Sequence, residues 1–224
     1  MKKFLLFSIL LILSLLFIRG VVRSDEPASV TNHYFNNQVL AWCSEFADTS
    51  LLSKEALLTA YDNFLLAYAD SLVQNDSLLS VIDFTKPSTE PRLFIFDVKN
   101  KRLLYKSLVA HGQNSGELFA QNFSNKPQSH MSSLGMFRTL NTYEGRHGYS
   151  LRLDGLQKGI NDKAKERAIV IHGAAYVSPN YIEQYGRIGR SFGCPALPAD
   201  LNASIIDLIK NGSFLFIYHP SLIS

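Results

Sequence analysis

Gly189-Arg190-Ser191-Phe192-Gly193-Cys194-Pro195-Ala196-Leu197-Pro198 decides the reading of this chain, together with the upstream run Ile169-Val170-Ile171 that ends in His172-Gly173. A β-branched run closed by a histidine reads as a strand end, and a cysteine preceded by glycine reads as a sharp turn. The two segments supply a thiol and an imidazole, the groups that thiolate acyl transfer needs. A free thiol has a pKa of about 8.5, so only a few per cent is ionised at neutral pH unless a base takes its proton. Cys194 is therefore the candidate nucleophile and His172 the candidate base. The turn lets the amide N–H groups of Gly193 and Cys194 point at the oxygen of an attacked carbonyl, where losing one donor typically costs about 3–4 kcal/mol of barrier. The Ser191 hydroxyl is placed either to cap the turn or to contact substrate.

Other readings of these residues compete. The chain has two cysteines, and in an exported protein an even count invites a Cys43–Cys194 disulfide. Cys43 lies in Val39-Leu40-Ala41-Trp42-Cys43-Ser44-Glu45-Phe46, an amphipathic pattern in which it reads as a small buried hydrophobe. No Cys-x-x-Cys or His-Glu-x-x-His spacing occurs, so neither a metal nor a cofactor is expected. A lone histidine at a strand end is often only a satisfied structural residue, and the glycine-flanked cysteine downstream is what singles out His172.

Outward from the site, the N-terminus begins Met1-Lys2-Lys3 and continues in an apolar run from Phe4 to Ile18 broken only by Ser8 and Ser14. That length suits a signal-peptide core better than the ~20 residues needed to span a bilayer. Residues 1–24 are expected to be a signal peptide or, if the run continues to Val22, an N-terminal membrane anchor over residues 4–22. The formal net charge of +3 depends on the basic residues of this segment, since removal through Ser24 leaves 18 basic against 19 acidic residues. A near-neutral chain with no basic stripe argues against nucleic acid as a partner.

Residues 25–79 read as a polar linker, from Asp25 to Asn32, followed by a helical region. Leu58, Tyr61, Phe64, Leu65 and Tyr68 recur at helical spacing, with Ser53 as N-cap and Glu55 in the first turn, and these aromatics are expected to form a core face. Residues 80–224 change texture. Leu93–Val98 and Leu103–Tyr105 flank the polar turn Lys99-Asn100-Lys101-Arg102 as a hairpin, and short strands are expected at 107–110, 136–140, 150–153, 168–171 and 214–218. A helix over 201–210 ends at the stop signal Asn211-Gly212. The sum is an α+β chain with a β-rich catalytic domain after a short helical region. His147, in the glycine-flanked loop 145–148, is a further cleft candidate.

His172-Gly173 followed by Ser191-Phe192-Gly193-Cys194 resembles the murein L,D-transpeptidase catalytic domain (YkuD-like), whose signature is His-Gly and then Ser-x-Gly-Cys. The stretch from Gly189 to Pro198 is closer still to one branch of that family, as is Val109-Ala110-His111-Gly112-Gln113-Asn114-Ser115-Gly116. Ser132-Ser133-Leu134-Gly135-Met136-Phe137 sits where commoner members carry Thr-Pro-x-Gly-x-Phe/Tyr. Commoner members also carry arginine at the position of Ala196, so Arg190 or Arg187 is the expected substitute for meeting a substrate carboxylate.

The resemblance implies a mixed β-sandwich or barrel and a cysteine enzyme of the bacterial periplasm or cell envelope acting on peptidoglycan stem peptides, as L,D-transpeptidase or L,D-carboxypeptidase. It also implies that the Gly173 carbonyl orients the imidazole of His172. His111 is expected to be structural or substrate-positioning, because one base suffices for a thiol. A secreted cysteine hydrolase of another amide or ester, and a non-catalytic wall-binding module, are the alternatives. No feature of the chain sets an oligomeric state.

Overall fold

The structure is a computed structural model that describes residues 41–42 and 52–222; Cys43, the segment 1–24 and the linker 25–32 lie outside the described residues. Helix α1 spans Lys54–Ala69, and its start is fixed by Ser53, whose Oγ accepts the Ala56 N–H at 3.1 Å. Such a cap is worth about 1 kcal/mol because it satisfies an otherwise orphaned helical donor. The Asp83 carboxylate accepts the Ser53 N–H at 3.1 Å and so ties this helix start to the sheet.

Eight strands form one mixed sheet: β1 (Leu78–Asp83), β2 (Leu93–Asp97), β3 (Arg102–Ser107), β4 (Gly135–Gly145), β5 (Gly148–Gly155), β6 (Val170–Ala174), β7 (Ala196–Pro198) and β8 (Phe214–Tyr218). Their lateral order is β3-β2-β1-β8-β4-β5-β6-β7, with the β1–β8 and β6–β7 pairs parallel and the others antiparallel. Two more α-helices, α2 (Pro179–Tyr185) and α3 (Asn202–Ile209), and short 3-10 turns at Gln113–Ser115 and Pro220–Leu222 accompany the sheet. Ala110, just past β3, bridges Ala196 of β7, so the two ends of the strand order meet and the sheet is nearly closed and barrel-like.

Side chains that alternate along the strands divide between two cores. Phe214, Phe216 and Tyr218 of β8, Leu79 and Val81 of β1, and Phe94 and Phe96 of β2 pack on Ala60, Tyr61, Phe64 and Ala67 of α1. Their neighbours Leu215, Ile217, Ile82, Leu93 and Ile95 turn the other way. They meet Phe137, Leu151, Ile171 and Leu197, with Ile205, Ile206 and Ile209 of α3. Strands buried on both faces read as continuous apolar runs. That explains why β1, which follows the helical region directly, carries no alternation to announce it. The helix packs into this sheet's own core, and β1 runs across the expected boundary between residues 79 and 80.

Candidate active site

Adjacent parallel strands bring the two key side chains together. His172 sits in β6 opposite Ala196 of β7, and Cys194 lies two residues before that partner. Both line one cavity of about 660 Å³, together with Ser191, Phe192 and Tyr176. The turn before the cysteine needs glycine. Gly193 has φ +120°, and a Cβ there would lie 2.7 Å from the Met131 carbonyl oxygen, a backbone atom that cannot swing aside.

Ser191 resolves its two sequence readings in favour of a turn cap, although it also lines the cavity. Its hydroxyl donates to the Cys194 carbonyl at 2.6 Å and accepts the Gly193 N–H at 3.0 Å. A short hydroxyl side chain closes a turn on its own backbone in this way. One of the two amides expected to face an oxyanion is therefore engaged with Ser191, while the Cys194 N–H has no partner among the described residues.

Nδ1 of His172 lies 3.0 Å from the Gly173 carbonyl oxygen. A carbonyl only accepts, so Nδ1 carries the proton and Nε2 the lone pair. Burial pushes this imidazole below its ordinary range; the Gly173 carbonyl opposes the shift, and His147 and Arg146 add to it. The ring of His147 stacks on that of His172 with centroids 4.3 Å apart. The shift favours the neutral imidazole, the state a base requires.

The thiol of Cys194 is free and half-buried. Burial pushes its pKa up, against the Val170 N–H, Arg167 and Arg146. Its Sγ accepts that N–H at 3.5 Å and points its own proton toward the Ala168 carbonyl at 3.8 Å. Among the described residues no hydrogen bond joins Sγ to the His172 ring, and the two shifts run in opposite senses. Both shifts favour the neutral form of each group, a thiol and an imidazole lining one cavity. Hydrogen bonds between a thiol and an imidazole that work together are often long without substrate and tighten when it binds.

The arginines are disposed differently from the sequence expectation. Arg190 lines the cavity, but its guanidinium is held by Glu117 at 2.6 Å and by the Gln113 and Gly116 carbonyls at 3.0 Å each. Arg187 binds the same carboxylate through Nε at 2.9 Å and is not among the residues lining the cavity. Arg167, which carries no local sequence signal, donates to the Ser124 and Met131 carbonyls and to Ser133 and Ser129 hydroxyls. It pins the 124–133 loop beneath the nucleophile and sets a positive charge near Sγ. Arg146 and His147 reach the cavity from the two-residue turn between β4 and β5.

His111 is fully buried and does not line the cavity. Arg92 donates to its Nδ1 at 2.7 Å, and its Nε2–H donates to the Gly116 carbonyl at 3.1 Å. Burial, then the Arg92 charge, pushes it down to about 3. It cannot touch a substrate from there. Its backbone carbonyl instead accepts the Ser191 N–H at 2.9 Å, and Ser132 links Gly112 N–H to the Gly193 carbonyl. The 109–116 segment thus supports the Cys194 turn from behind.

A family model described as the L,D-transpeptidase catalytic domain matches residues 48–218, most of the chain. The chain belongs to that family. Solved structures similar to this L,D-transpeptidase domain include an L,D-transpeptidase from Mycobacterium smegmatis, at 16% identity and TM-score 0.39 over 64% of this chain and 59% of that one. An Enterococcus faecium L,D-transpeptidase variant is 12% identical with TM-score 0.41 over 66% and 51%. The helical cell shape determining protein Pgp2 of Campylobacter jejuni, also as a variant, is 13% identical with TM-score 0.43 over 70% and 54%. The chain thus spans little more than half the length of these relatives. No curated protein matches it. Among the described residues no group of three or more His, Cys, Asp or Glu could hold a metal, and no helix is long and apolar enough to cross a membrane.

Proposed function

We propose that the chain is a cysteine acyl-transferase acting on peptidoglycan stem peptides through Cys194, with His172 as its base. Sγ attacks the carbonyl between the third stem residue and the terminal D-alanine as the thiol proton passes to Nε2 of His172. The Cys194 N–H faces the oxygen that becomes negative, and a substrate that draws the Gly193 N–H away from Ser191 adds a second donor. Collapse breaks the peptide bond, and the nitrogen of D-alanine leaves with the proton held by His172. A thioester on Cys194 remains. An amine of a neighbouring stem resolves it to a cross-link, or water resolves it to a trimmed stem.

What carries this reading is the shared cavity of a free thiol and a neutral imidazole whose Nδ1 is tied to Gly173, inside an L,D-transpeptidase catalytic domain. Residues 80–224 together with α1 form the catalytic unit in this proposal. Residues 1–24 direct the chain to the cell envelope as a signal peptide or anchor. The test is intact mass spectrometry of the full chain with a tetrapeptide stem. We expect a thioester adduct on Cys194 and release of D-alanine, both abolished in Cys194→Ala. Release that survives in Cys194→Ala removes the proposal.

A further inference from the structure

Among the described residues, one arginine of the cavity has a guanidinium with no hydrogen-bond or ion-pair partner. Three arginines line it, with Glu166 as the acid among its lining residues. Arg167 spends its guanidinium on carbonyls and hydroxyls of the 124–133 loop, and Arg190 is held by Glu117, which it shares with Arg187. Arg146 is exposed and forms no ion pair with Glu166 or any other described carboxylate. A guanidinium left unpaired in a cleft offers a planar fork of donors that matches a carboxylate.

Its position says which part of a substrate it meets. Arg146 and His147 form the two-residue turn between Gly145 and Gly148, which are paired across β4 and β5. His147 stacks on His172, so the turn overhangs the base, and the charge of Arg146 acts on both the imidazole and the thiol. In the reaction proposed above, on which this inference rests, the leaving nitrogen takes its proton from His172. The leaving residue therefore lies on the His172 side, beneath the turn. We infer that Arg146 binds the terminal carboxylate of the departing D-alanine and makes the enzyme selective for stems with a free C-terminus. The partner is an α-carboxylate one residue from the scissile bond, held by a charge that the fold itself does not use.

The experiment compares kcat/KM for the full chain on a tetrapeptide stem ending in a free carboxylate and on the same peptide ending in a carboxamide. Wild type is expected to prefer the acid, and Arg146→Gln to lower the acid-to-amide ratio about 10- to 100-fold, the range of a charge-assisted contact. Arg146→Lys keeps the charge and retains much of the preference. Equal losses on both substrates overturn the inference, since they mean that the arginine acts on the thiol or on the turn. An unchanged ratio in Arg146→Gln, with D-alanine still released, overturns the arginine assignment alone. A wild-type chain that turns over neither peptide overturns the acyl-transferase reading and this inference with it. Circular dichroism of both variants confirms that the fold is present when the ratios are read.

Discussion

Two of the chain's three His-Gly pairs, His111-Gly112 and His172-Gly173, have opposite fates. His111 is sealed in, with both ring nitrogens engaged by Arg92 and Gly116. His172 has one nitrogen tied to the carbonyl of its own glycine and the other left for chemistry at a cavity wall. Burial drives both imidazoles toward the neutral form, yet only one of them ends beside the thiol. The difference teaches that a histidine's role is set by how many of its nitrogens the fold consumes. The residue next to it in sequence does not decide the matter.

Three measurements sharpen or break that contrast. His172→Gln should lower kcat for D-alanine release by about 10²–10⁴-fold, the usual contribution of a positioned base, while thermal stability holds near wild type. Equal activity in this variant would erase the distinction between the two histidines. His111→Ala should do the reverse. It strips a buried guanidinium of an acceptor and opens a cavity, so a loss of about 2–4 kcal/mol in urea unfolding is expected, with activity falling as the folded fraction falls. The sign of its pH dependence is also set. His111 stays neutral in the fold down to about 3 but takes a proton near 6.5 when unfolded, so stability declines as pH falls through that window. The variant should lose that part of the slope. The smallest effect belongs to His147→Ala. The acid limb of kcat/KM should lie below an ordinary histidine's 6.5 because His172 is pushed down, and the basic limb above an ordinary thiol. Removing the His147 charge should move the acid limb upward by a fraction of a pH unit, read from a rate profile between pH 4 and 8.

Much of the architecture was legible because turn chemistry and strand alternation coincide. The β2–β3 hairpin, the cap at Ser53 and the stop at Asn211-Gly212 all sit where the residue types put them. β1 was not legible, since both of its faces are covered and its run Leu78-Leu79-Ser80-Val81-Ile82-Asp83 has no period to read. Helix α2 was missed although Ser178 caps it, Pro179 starts it and Gly186 ends it at φ +70°, because seven residues with no buried side chain carry no hydrophobic stripe. In the site, Cys194 and His172 were visible as chemical types. Arg187 and Arg190 drew notice by proximity in sequence, but Glu117, far upstream, engages both. Arg146 and Arg167 gave no local signal, as their place beside the thiol comes from pairings that only the folded sheet creates.

The last strand, β8, lies between β1 and β4 and is the seam on which the two halves of the sheet are joined. On a ribosome, every other strand emerges before it, and until residues 214–218 appear β1 and β4 lack the strand that joins them, so the halves meet only at the Ala110–Ala196 edge. The nascent chain thus cannot complete its barrel early, and pairing between segments so distant along the polymer is slow. A fold that waits for its final strand stays an open, threadable chain for longer than one whose sheet closes as it emerges.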